Sequence, residues 1–254
     1  MKVFIIHLER SLDRKEYMQG QIQRLFEKNS SLKNQLEFIF FKATDAKNKE
    51  HLEFKDHFPW WASWVFGREL SDGEKACFAS HYRLWQECVR LNEPIMVLED
   101  DVELSDAFLN HGEEYIHELS KSEYEYIRFC YLFDKELYLL NESGYYLSFE
   151  KISGTQGYIL KASAARKLLR YAKRWICPVD DYMDKFYKHK VLNIVKKPLL
   201  LKHSLELQSN ISSFGHRQQK AKFYRKISRE FFRLFSNIHK IFYIYSMRKK
   251  LKIK

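Results

Sequence analysis

Proline and glycine are scarce, four and eight among 254 residues, which leaves little room for flexible linkers, and neither an internal repeat nor a low-complexity stretch interrupts the chain. Cysteine is scarce too. Cys77, Cys88, Cys130 and Cys177 form no C-x-x-C pair and no finger spacing, which gives no support to a disulfide framework or zinc site and makes reduced thiols in the cytosol the expectation. No apolar run reaches membrane-spanning length, and the short one in the opening MKVFIIHLERS, broken by His7, is too brief for a signal peptide. Core material, in contrast, is plentiful: 45% hydrophobic and 16% aromatic residues suffice for one sizeable domain, with or without an appendage.

Acid is missing from the C-terminal end. From Arg217 to Lys254, thirteen Lys and Arg face a single acid, Glu230, so the net charge of +11 resides there and the rest of the chain is near neutral. Aromatics interleave with those cations in REFFRLF and KIFYIYSMRKKLKIK at spacings that suit amphipathic helices. The division expected is a body over residues 1–213 and a basic helical extension over 214–254. Such an extension would rest on anionic lipid, follow a nucleic-acid backbone, or pack on the body as a solvated helix. Attachment to a membrane surface is the reading preferred.

The body alternates strand and helix. KVFIIHL (2–8) reads as a buried strand, Ser11 as the N-cap of the helix that follows, and LEFIFFKAT (36–44) as a second strand. After an aromatic loop, HFPWWASWVFG, Ser71 and Glu74 have capping-box spacing ahead of a long helix. PIMVLE (94–99) reads as a third strand, Ser105 as the cap of a helix to about Leu119, and 124–133 and 144–151 as further strands. GTQGYIL, the helix SAARKLLRYAKRW and a last strand region in KVLNIVKKPLLL complete an α/β arrangement around a mainly parallel sheet.

In such sheets ligands lie beyond the carboxyl ends of the strands. That is where Glu99, Asp100 and Asp101 emerge. Three adjacent carboxylates repel one another, and a hard divalent cation, Mg²⁺ or Mn²⁺, is the simplest partner to offset that. In extended chain Glu99 and Asp101 share a face, with Asp100 turned away; a solvated turn is the plainer alternative.

The segments FIIHLERSLDRKEYM, LSDGEKACFASHYRLWQECV, IMVLEDDVEL, GTQGYILKASAARKLL and CPVDDYM, in this order, resemble glycosyltransferase family 25, the bacterial lipooligosaccharide galactosyltransferase-like enzymes. The resemblance runs from about Val3 to Ile211. It implies a GT-A fold, a UDP-hexose donor (galactose in most of the family), a divalent metal, inversion at the anomeric carbon, and a saccharide acceptor on a glycolipid. It places metal and diphosphate binding at Asp101 with Glu99 or Asp100, and nucleotide contacts at Arg10 and Arg14, the latter equally readable as a helix surface charge. His7 stands where the family commonly has Asn and receives no chemical role. Ser80 and His81 match on the long helix, where His81 would orient the donor or hydrogen-bond in the core. Gly154, Thr155, Gly157 and Tyr158 would form a wall against the sugar, or an ordinary turn. Asp180, with Asp181 as runner-up, would be the base that takes the acceptor proton; helix-start acids are the alternative. Ser209 and Ile211 fit the family's ending, and His203 would reach the metal or diphosphate. Trp60, Trp61 and Trp64 would hold the sugar or simply pack. The location implied is the inner face of the cytoplasmic membrane, with no nucleic acid as partner. A metal-dependent nuclease and a non-enzymatic membrane or polyanion binder are the rival classes.

Overall fold

The protein is described by a computed structural model that covers residues 1–203 and 223–252, without the side chains of His203, Phe223 and Tyr224. Ser209, Ile211 and the expected division near residue 213 lie outside the described residues.

The first strand, β1 (Lys2–His7), is apolar on both faces, as a strand covered from two sides must be. Val3 and Ile5 enter one hydrophobic cluster and Phe4 the other. A helix, α1 (Leu12–Lys28), follows; it buries Arg14, Met18, Gln21 and Leu25 in one stripe, although Ser11 makes no side-chain cap. A short α2 (Leu32–Gln35) leads to β2 (Glu37–Lys42). The aromatic stretch read as a loop is partly helical, with a 3-10 helix over Glu50–His57 and α3 (Ala62–Phe66). The long helix α4 (Asp72–Leu91) starts at the expected capping box: the Ser71 side chain accepts from Glu74 N–H and the Glu74 carboxylate from Ser71 N–H. Then come β3 (Ile95–Glu99) and an unexpected short β4 (Val102–Leu104), followed by α5 (Asp106–Lys121), capped by Ser105 as expected.

The second half is more broken than its apolar pattern suggests. The stretch 124–133 supplies only β5 (Tyr126–Arg128), and the region near 144–151 becomes a hairpin of β6 (Tyr138–Asn141) and β7 (Tyr145–Ser148). Next are β8 (Gly157–Leu160), α6 (Ala162–Tyr171), α7 (Val179–Met183) and α8 (Phe186–His189), then β9 (Asn193–Lys196), β10 (Leu201–His203) and α9 (Phe223–Leu251).

Eight strands form one sheet in the order β2-β1-β3-β8-β5-β9-β7-β6, and β10 pairs with β4 in a separate ribbon. Six of the eight run one way; β8 and β7 run against them. Because β8 opposes β3, the loop that enters β8 lies at the carboxyl end of β3, and two segments far apart in sequence meet there. Helices α1 and α5 pack together over one face, and α4 and α6 over the other. Gly157 at the start of β8 is a packing glycine: a Cβ there would lie 2.0 Å from Leu201 Cδ1 and 3.1 Å from Leu98 Cδ2.

One core residue sets a pH dependence. His189, buried at the end of α8, donates from Nε2 to Tyr182 O (3.2 Å) and accepts Val191 N–H at Nδ1 (3.2 Å), which fixes the neutral ring. Burial pulls its pKa down to about 3 from 6.5. A folded-state pKa below the unfolded one gives stability that is fully present above the unfolded value and declines as pH falls below it. The stability advantage of wild type over His189→Gln should therefore shrink below pH 6.5, by up to about 1.4 kcal/mol per unit, in urea melts run at about pH 7.5 and about pH 5. An advantage independent of pH would contradict this assignment.

Candidate active site

The chain leaves β3 at Glu99, turns through Asp100 and Asp101, and re-enters as β4. The three carboxylates of this turn have different fates. Asp100 is buried and faces inward: Arg14 Nη1 donates to its Oδ1 (2.8 Å) and His7 Nδ1 to its Oδ2 (2.9 Å). Both oxygens are engaged with residues of the first strand and helix, so Asp100 anchors the turn to α1 and β1. Arg14 is thus no surface charge. It bridges to Asp101 Oδ2 as well (3.3 Å), so α1 neutralises part of the turn.

Asp101 and Glu99 face the site. Asp101 Oδ1 is buried and finds no hydrogen-bond partner among the described residues. Burial first, and then the charge of Glu99, push the Asp101 carboxyl up to about 7. Glu99 accepts from Thr155 Oγ1 (2.6 Å), and the same hydroxyl lies 2.8 Å from Asp180 Oδ1 on α7. Burial, followed by the charge of Glu99, pushes Asp180 up to about 6. Burial also opposes the charge on Glu99, yet its neighbours His81 and Thr155, with Arg14 beyond, hold it below its ordinary value. Thr155 has one hydrogen. It donates to Glu99, and the contact with Asp180 is satisfied when Asp180 carries a proton and donates to the Thr155 oxygen.

His81 belongs to the same constellation. Trp85 Nε1 donates to Tyr158 OH (3.1 Å), so the Tyr158 hydrogen is directed at His81 Nδ1 (2.9 Å), leaving Nε2–H to face Glu99 Oε1 at 3.6 Å. Tyr158 is fully buried and reaches the site through His81, from inside the core. Ser80, one residue earlier on α4, is engaged elsewhere: its Oγ donates to Ala76 O and accepts Thr44 N–H (2.9 Å each), tying α4 to the end of β2.

The loop that carries Thr155 is pinned from below by residues the sequence reading passed over. Arg128 of β5 is fully buried and donates to Ser153 O (3.0 Å), Gly154 O (3.3 Å) and Asp184 Oδ1 (2.9 Å), while Asp184 Oδ2 accepts Ser153 N–H (2.8 Å). Gly154 sits at φ +88, a conformation glycine adopts without strain. The signal was present in YIRFC, an arginine inside an apolar strand, which must find an acid when the strand is buried.

The remaining expected residues lie apart. Asp181 pairs with Lys151 and not with Thr155. Arg10 pairs with Asp45 beside a pocket of about 200 Å³ between the ends of β1 and β2, lined also by Leu8, Ala43, Lys47 and Glu50. His203 contributes its backbone to β10; its side chain is outside the described residues. Trp60 is 82% exposed, and Trp61 and Trp64 are near two-fifths exposed. Among the described residues no three His, Cys, Asp or Glu side chains converge as a ready metal cage.

The family model described as "Glycosyltransferase family 25 (LPS biosynthesis protein)" matches residues 1–183, the span that holds His81, Glu99, Asp101, Thr155 and Asp180. The chain belongs to glycosyltransferase family 25. Among family 25 relatives, procollagen galactosyltransferase 1 of Danio rerio is 28% identical over 202 residues, covering 75% of this chain and 32% of that protein. The procollagen lysyl hydroxylase and glycosyltransferase of Acanthamoeba polyphaga mimivirus is 30% identical over 128 residues, 47% of this chain and 14% of that one. A human relative, 28% identical over 193 residues and covering 72% of this chain, is named an inactive glycosyltransferase 25 family member 3, so family 25 membership alone does not establish turnover. The chain spans about a third or less of the length of these curated relatives. A crystal structure of a glycosyltransferase involved in glycosylation of the PBCV-1 major capsid aligns with 92% of this chain and 98% of its own at 10% identity and a TM-score of 0.44.

Proposed function

We propose that this chain transfers a hexose, galactose in the first instance, from a UDP-sugar to a saccharide on a glycolipid of the lipopolysaccharide class, with inversion. The observation that carries the reading is the meeting of Glu99 and Asp180 on the single Thr155 hydroxyl at the carboxyl end of the sheet, with Asp101 close enough to Glu99 to feel its charge. The relative named a procollagen galactosyltransferase supports galactose as the sugar, and the family description supports the acceptor class.

The residues present fit a divalent cation in part. Asp101 Oδ1 is buried and unpartnered among the described residues, and Glu99 stands close enough to raise the proton affinity of Asp101. These two carboxylates would hold the ion, leaving further positions to water and donor phosphates, as Mg²⁺ and Mn²⁺ commonly arrange. When bound, such an ion supplies charge neutralisation for the departing diphosphate. The pocket beside Arg10 and Asp45 is the natural place for the nucleoside, beyond the ends of two parallel strands.

Asp180 is the base of this scheme. A general base works best with a pKa near the working pH, and burial beside Glu99 brings Asp180 to about 6. It would take the proton of the acceptor hydroxyl as that oxygen attacks the anomeric carbon, and a single displacement inverts the centre. Thr155 and the Arg128 clamp beneath it hold Asp180 and Glu99 at fixed spacing, so alignment is built in before substrate arrives.

UDP release from a panel of nucleotide sugars, with Mn²⁺ and a lipooligosaccharide acceptor, tests the reading; silence across the whole panel would end it. Asp180→Asn is expected to lower kcat by about a hundredfold or more while leaving donor KM within about threefold. A loss confined to donor KM would move the base elsewhere.

A further inference from the structure

α9 has two faces, and among the described residues only one is packed against the body. The inner face meets the body along its length: Ser228 Oγ donates to Trp64 O (2.6 Å), His239 stacks edge-on against Tyr187 (5.5 Å), Tyr243 lies on Phe186 (5.9 Å), and Arg248 reaches Tyr138. On the opposite side Ile227, Phe231, Phe235, Ile238, Phe242 and Tyr245 recur at helical spacing, within about a third of the circumference at 100° per residue. Their exposure runs from 43% at Ile238 to 74% at Tyr245. A contiguous stripe of this kind is far more apolar surface than scattered exposed side chains produce, and it marks an interaction face.

The charge around the stripe decides what that face meets. Lys249 continues the line of the stripe at its C-terminal end and Lys250 stands on one flank there, both exposed, while the exposed Lys226 lies on the far side of the helix near its start. Along residues 217–254 the only acid is Glu230, which is engaged by Arg229 and Arg233. The large excess of Lys and Arg over acid along this segment would repel a second copy of the helix, so self-association is opposed by charge. An apolar stripe that ends in lysines, on a strongly basic helix too polar to cross a bilayer, suits a helix lying in the plane of an anionic lipid surface.

We propose that the outward face of α9 seats the protein on anionic phospholipid, with the aromatic stripe entering the boundary between headgroups and acyl chains and the lysines meeting phosphate. The partner follows from the surface alone and does not rest on the transferase reading, so either can fail without the other. α3, which packs against α9 and carries the exposed Trp60 at its approach, would be brought to the same interface.

The test is co-sedimentation of the full chain with vesicles of phosphatidylglycerol and phosphatidylethanolamine, against vesicles of phosphatidylcholine. Binding is expected to the anionic vesicles only, and to weaken with added salt. Phe231→Ser, Phe235→Ser and Phe242→Ser combined should reduce binding by at least about tenfold, with an unchanged melting temperature, because all three side chains face outward. Three results would overturn the proposal: no binding to anionic vesicles, equal binding by the triple variant, or a dimer in light scattering that the triple variant dissociates while lipid binding stays absent.

Discussion

Asp101→Asn is expected to abolish transfer, by about a thousandfold or more, and at the same time to raise the melting temperature of the ligand-free protein. The two effects have one cause. Asp101 ionises against burial and against Glu99, so its carboxyl is pushed up to about 7, and above that pH the folded state carries a charge it disfavours. A carboxyl whose folded pKa lies above its unfolded value contributes stability at low pH, which is lost as pH rises from the unfolded to the folded value. An amide is neutral throughout. The gain from Asn should therefore be largest above about pH 7, on the order of 1 kcal/mol or more, and absent below about pH 4. Arg14 keeps Asp100 as a partner in the variant, which guards the fold. Thermal melts at several pH values check the stability half and UDP release the other. A variant that loses activity and stability together would show that Asp101 is structural.

The second large effect is expected at Arg128, buried beneath the loop that carries Thr155. Arg128→Met leaves Asp184 buried without its cation and frees the carbonyls of Ser153 and Gly154. Breaking one side of a buried ion pair typically costs about 3–5 kcal/mol. The double variant Arg128→Met with Asp184→Leu removes both charges and should recover a substantial part of that loss. Denaturant melts of the three proteins measure it. Equal destabilisation in the single and double variants would mean that packing, and not an orphaned charge, sets the effect.

Much of this architecture was legible in the sequence, for identifiable reasons. β1 and β3 show as apolar runs, and α4 announces itself through Ser71 and Glu74, because these signals are local. The acidic turn after β3 and the helix-start acids of α7 could be picked out by charge, and Thr155 joins Glu99 of the one to Asp180 of the other. What stayed hidden depends on pairing across long separations. β4 is three residues whose identity as a strand comes from β10, nearly a hundred positions away. The fate of Asp100 depended on two residues of the first α/β unit, His7 and Arg14. Nothing in the spacing of GTQGY separates Thr155, which bonds two carboxylates, from Gly157, which makes room for Leu201. Nor does VDDY reveal that Asp180 turns inward to Thr155 while Asp181 turns to Lys151.

Gln21 illustrates how a residue without reactive chemistry governs one that has it. Its side-chain amide accepts Leu104 N–H (2.6 Å) and donates to Val102 O (2.8 Å), standing in for a peptide group along β4. Arg14 is seven positions earlier on the same stripe, two turns of helix away. Sliding α1 along the ribbon by even one turn would leave both peptide groups of β4 without a mate. Gln21 thus works as a gauge block: it dictates the axial position of the helix, and with it the gap at which the guanidinium and the acidic turn face each other.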